Sequence, residues 1–103
     1  MKKLLVAAMT TISVFPVLDY AQAQSVTEAK VVILAVDPSD LVIQLEKNGQ
    51  CGSAYFHVQR TNQNFREMAA LAMTAFANGK SMALFVTGCA NDRNIISHGY
   101  TSR

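Results

Sequence analysis

Thiols and imidazoles are scarce in this chain of 103 residues, which has two cysteines, Cys51 and Cys89, and two histidines, His57 and His98. The cysteines are too far apart for a Cys-x-x-Cys motif and the histidines lie in different segments. This removes the spacings of a zinc site or a dithiol redox centre. No catalytic triad and no phosphate-cradling glycine loop can be read either, so the chain reads as a non-enzyme without a metal or cofactor. Charge is equally sparse: nine Lys and Arg stand against seven Asp and Glu, for a net charge of +2. Without clustered cations to meet phosphates, a nucleic-acid partner is not expected. Finally, no apolar run is long enough for a membrane span. Leu4 to Leu18 falls short of the ~20 residues required, is broken by Pro16 and is followed by Asp19.

That same run carries a different message. Lys2 and Lys3 precede it, and Ala21-Gln22-Ala23 follows it with the small-x-small pattern accepted by signal peptidase. Residues 1–23 therefore read as a cleaved export signal of bacterial type, with the mature chain starting near Gln24 and working in the periplasm or outside the cell. No cysteine follows the cleavage site, so lipid attachment is not expected. Without the leader the chain keeps seven basic and six acidic residues, a net charge of +1. Residues 24–103 suffice for one small domain, and domains of this size commonly need a covalent staple or oligomerisation. An oxidising compartment supplies the first, because a lone pair of exported thiols is normally joined. A Cys51–Cys89 bond closes a loop of about 39 residues, for which chain entropy predicts roughly 4 kcal/mol.

Along the mature chain, Val31 to Val36 is apolar without interruption, within a strand expected over Val26 to Val36. Such continuity predicts cover on both faces, by the core and by something else. Asp37-Pro38-Ser39-Asp40 reads as a turn leading into a second strand, with Leu41, Ile43 and Leu45 on one face. Lys47-Asn48-Gly49-Gln50 is a further turn. The strand Ser53 to Gln59 then places Ala54, Phe56 and Val58 inward and Tyr55, His57 and Gln59 on the opposite face. Residues 62–78 carry helical spacing. Asn64 and Glu67 suit a capping box, Gly79 a stop, and Phe65, Met68, Ala69, Ala72, Ala75 and Phe76 an apolar stripe. The methionines read as core filler rather than copper ligands. A strand from Lys80 to Gly88, a polar loop Ala90 to Asn94 and a last strand Ile95 to Tyr100 complete the chain.

The resulting order, three strands, a helix and two strands, is the connectivity of the OB-fold: an all-β barrel of five strands with one helix, here carrying one disulfide. Within it, Phe65-x-x-Met68-x-x-Leu71-Ala72-x-x-Ala75-x-x-x-Gly79-Lys80, the strand Met82 to Val86 and Cys89 resemble small exported bacterial proteins related to AB5 toxin B subunits, nearest the subtilase-cytotoxin type. The resemblance implies a pentamer whose helices line a pore and whose outer barrel surface binds glycans. The chain is shorter than those subunits, and none of their sugar-contacting residues can be placed on it.

Two functions follow as expectations. One is a glycan-binding, B-subunit-like oligomer. The other is a stand-alone exported domain that binds a protein through the unpaired edges of its first or last strand. The residues to examine for a ligand are Tyr55, His57 and Gln59, then Asn91, Asp92, Arg93 and Asn94. Aromatic faces stack on sugars, while amides and carboxylates fix hydroxyls. Both sets also suit plainer roles, as a solvated strand face and as a turn.

Overall fold

The computed structural model describes residues 25–103, and the expected leader, with the start of the mature chain at Gln24, lies outside the described residues. Five strands and one helix follow one another as β1 (Ser25–Val36), β2 (Asp40–Leu45), β3 (Tyr55–Gln59), α1 (Phe65–Ala77), β4 (Ser81–Ala90) and β5 (Arg93–Thr101). The strands close into a barrel in the order β1-β2-β3-β5-β4, with β4 returning to β1. This is the expected OB connectivity. All ladders are antiparallel except the seam between β3 and β5, which is parallel and pairs only Phe56 with Asn94 and His57 with Ile95.

β1 serves two neighbours in succession. Ser25 to Lys30 pair with β4, and Val31 to Val36 pair with β2, with a register shift at Val32 where the strand changes partner. An extra residue at such a point increases local twist, which helps a short sheet curl shut. The β1–β2 connection is held by Asp37, whose Oδ1 accepts hydrogen bonds from Ser39 N (2.9 Å), Ser39 Oγ (3.0 Å) and Asp40 N (2.9 Å). Those bonds, from the Asp40 amide first and then from Ser39, lower its pKa from the ordinary 3.8 to about 2. The folded value is the lower one, so the turn's stabilisation is full above 3.8 and fades as pH falls toward about 2. Urea unfolding measured through that interval should show a loss of stability that is smaller in Asp37→Asn. An unchanged acid profile in that variant would remove the turn from the account.

The core follows the alternation of the strands. Leu41, Ile43 and Leu45 of β2, Phe56 and Val58 of β3, Met82, Leu84 and Val86 of β4, and Ile96 of β5 are all buried. Each such side chain contributes about 1.5–3 kcal/mol on leaving water. Helix α1 closes the barrel with Met68, Ala72 and Ala75, and the two alanines leave room for close approach. Gly79, at φ +63°, ends the helix in a Schellman motif in which its N–H reaches Phe76 O and the Lys80 N–H reaches Ala75 O.

Three expectations need correction. Asn64 stands at the helix N-cap but makes no capping bond, so the capping box does not form. Its Nδ2 instead donates to Ser97 O (3.1 Å), and Asn62 Nδ2 donates to Ile96 O (3.3 Å). These bonds fasten the helix entry to the point where Ser97 bulges out of the β4–β5 register. The apolar stripe also stops short of Phe76, which is 46 % exposed beside an exposed Met73. Lastly, within the single chain the apolar run of β1 is covered on one side only: Val31 is buried, but Ile33 is 50 % and Val36 63 % exposed.

Candidate functional site

An open cleft of about 390 Å³ lies where the Asp37 turn, β2, β3 and the β4–β5 hairpin meet. Its lining combines Val42, Tyr55 and His57 with Ser53, Asp37, Asp92 and Arg93. Four of the seven candidate ligand residues, Tyr55, His57, Asp92 and Arg93, thus share one cavity although they come from separate parts of the chain. Gln59, exposed at the far end of β3, is not in the lining. Asn91 is not either, and its role is conformational: at φ +61° it occupies the left-handed region that asparagine tolerates, so β4 can reverse into β5 across Asn91 and Asp92.

The floor of the cleft is built from a cross-strand pair, Val42 opposite His57. His57 was expected on a solvated face, yet it is buried, and its Nδ1 lies 2.8 Å from Asp40 Oδ2 on β2. A carboxylate only accepts, so Nδ1 carries the proton and the ring is fixed in orientation, with Nε2 remaining for other partners. Tyr55 differs from it. Its ring is 46 % exposed and offers the cleft an apolar wall.

Asn94 sets the distance between the walls. It is wholly buried, not a loop residue free for a ligand. Its Oδ1 accepts from Cys51 N (2.9 Å), and its Nδ2 donates to both Ser53 O and Tyr55 O (2.9 Å each). The Cys51–Cys89 disulfide spans the same junction, with its Cα atoms 5.6 Å apart. Hairpin and β3 entry are therefore joined once covalently and three times by one amide. Gly49 makes room for this joint, since a Cβ there would stand 2.6 Å from Asn94 Oδ1 and 2.7 Å from the Phe56 ring.

Asp37, Asp40, Val42 and Ser53 were not among the sequence candidates. Asp37 and Asp40 had a sufficient explanation as members of the turn, and Val42 and Ser53 carry no local signal for a site. Away from the cleft, an apolar groove of about 400 Å³ runs between β1 and α1, lined by Leu34, Val36, Leu41, Met73 and Phe76. Among the described residues no group of three or more His, Cys, Asp or Glu is placed to hold a metal, and no helix is long and apolar enough to cross a membrane.

No protein-family model matches the chain, and no curated protein matches it in sequence. Among solved structures it is similar to a cholera toxin-like B-subunit from Citrobacter freundii, with a TM-score of 0.60 over 87 % of this chain and 96 % of that one. Identity is 15 %, so the likeness is one of fold.

Proposed function

We propose that the protein is an exported, non-enzymatic binding module that takes a glycan in the cleft beside Tyr55 and assembles with copies of itself. The observation that carries this reading is the convergence of an aromatic ring, two carboxylates and a guanidinium on one small cavity. This is the mixture of apolar wall and few polar groups by which sites hold hydroxyl-rich ligands. The shared fold with a toxin-like B-subunit supports a binding role, and the leader with the disulfide supports export. Assembly is supported by two strand edges: residues 33–36 of β1 pair only with β2, and beyond Ile95 β5 pairs only with β4. A strand edge of one copy can pair with that of the next, and such head-to-tail contacts close into rings.

Screening the mature protein on a glycan array tests the ligand. Tyr55→Ala should weaken retained glycans at least about fivefold, given that aromatic contacts are worth on the order of 1 kcal/mol or more. Binding that survives this change intact would move the site elsewhere. Light scattering at micromolar concentration tests assembly, and a monomeric mass would refute it.

A second reading, a protein-binding domain acting alone, draws on the groove lined by Val36, Met73 and Phe76 beside the unpaired edge of β1. It predicts a monomer, a silent glycan array and a stoichiometric protein partner in the exported fraction.

A further inference from the structure

The charges around the cleft are unevenly distributed. Asp37 and Asp92 line it on the turn and on the hairpin, while Arg93 is the one cation in the lining. His57 at the floor is already matched with Asp40. The other nearby cation, Arg60, is not in the lining: its Nε and guanidinium donate to the backbone oxygen of Asp37 at 3.3 and 3.2 Å, behind the turn, and it lies 5.1 Å over the Phe65 ring. All three hydrogen bonds to the Asp37 carboxylate go to Oδ1. Its Oδ2 is thus left on an ionised, fixed group as an acceptor for a ligand hydroxyl.

From this arrangement we infer that the cleft selects saccharides by charge, taking a neutral, hydroxyl-rich unit through Asp37 and Asp92 and rejecting one that bears a carboxylate. The inference rests on the glycan reading above and adds the substrate class. A neutral sugar donates hydroxyls to the two carboxylates and accepts from Arg93, with its apolar face on Tyr55. A carboxylate in the same space gains one guanidinium and meets two like charges in the lining. Like charges brought together at an interface discriminate strongly between partners.

The test uses an array of neutral oligosaccharides beside the same oligosaccharides ending in a uronic acid or another carboxylate-bearing sugar, followed by calorimetry on retained pairs. The wild-type protein should bind the neutral member at least about tenfold more tightly. A double variant, Asp37→Asn with Asp92→Asn, keeps the amide acceptors and the turn geometry, and thermal unfolding establishes that it folds. It should bring the paired affinities to within about threefold of each other. Equal or tighter wild-type binding of the acidic members overturns charge selection while leaving the glycan reading in place. A preference that survives in the double variant overturns the assignment to these two carboxylates. An array that retains neither kind removes the glycan reading, and this inference with it.

Discussion

Asn94→Ala should destabilise the protein by at least about 2 kcal/mol, a large loss for one polar side chain. The reason is the number of groups that one amide satisfies. Removing it takes the side-chain partner from the Cys51 N–H and the Tyr55 carbonyl, each paired at 2.9 Å, and leaves the Ser53 carbonyl with only the Gly49 N–H at 2.8 Å. Each buried polar group left without a partner costs about 1–3 kcal/mol. Asn94→Asp separates the contributions, because it retains the bond to Cys51 but sets an anion against two carbonyl oxygens. It should be no better tolerated than alanine. Urea denaturation provides the measurement, with the slope monitored to confirm that the unfolded state is unchanged. A midpoint loss equivalent to less than about 1 kcal/mol in both variants would mean that water replaces the amide and that Asn94 is not the joint between the walls.

Removing the disulfide should cost about 4 kcal/mol, comparable to the whole stability of many domains this small. Cys51 and Cys89 are 38 residues apart in sequence, so their bond withholds a large loop from the unfolded ensemble. The double Cys→Ala variant should also steepen the denaturant dependence, since an uncrosslinked unfolded chain exposes more surface. The loss should not be additive with Asn94→Ala, because both changes release the same contact between hairpin and β3. Faster hydrogen exchange at residues 91–94 and at Tyr55, with the rest of the barrel still protected, would locate the effect there. Uniform acceleration across all strands would instead mark the bond as a general staple unrelated to the cleft.

These two residue sets show what could be read locally. The Asp37 turn, the helix with its Gly79 stop, the inward rows of β2 and β3 and the cysteine pair all rest on short-range pattern or simple count. His57 did not fit its pattern because alternation assigns a side chain to a face without saying what lies over that face. There, Asp40 and the overhanging hairpin bury it. Asn64 had a good local use as a cap and a better distant one at Ser97. Phe76 has helical spacing but sits with Met73 at the margin of the buried face, where it borders the groove beside β1 rather than the core. The cleft itself was legible as two unconnected sets of residues. What unites Tyr55 and His57 with Asp92 and Arg93 is the parallel pairing of β3 with β5, a contact between strands more than thirty residues apart that leaves no periodic trace.

That seam has a kinetic meaning. The other ladders of the barrel run for five or more residue pairs, and three of them join strands that are neighbours in sequence or nearly so, whereas β3 meets β5 through two pairs after the whole of α1 and β4 has intervened. The seam's partners are 38 residues apart, and although the β1–β4 ladder joins residues 51 or more apart, that ladder offsets its loop-closure entropy with six pairs where the seam has two. The ring should therefore zip from its four longer ladders, shut last along Phe56–Asn94 and His57–Ile95, and breathe first along the same line. Cys51 and Cys89 meet across that junction, so a reduced chain that folds before it oxidises gains the bond only once its ring has shut.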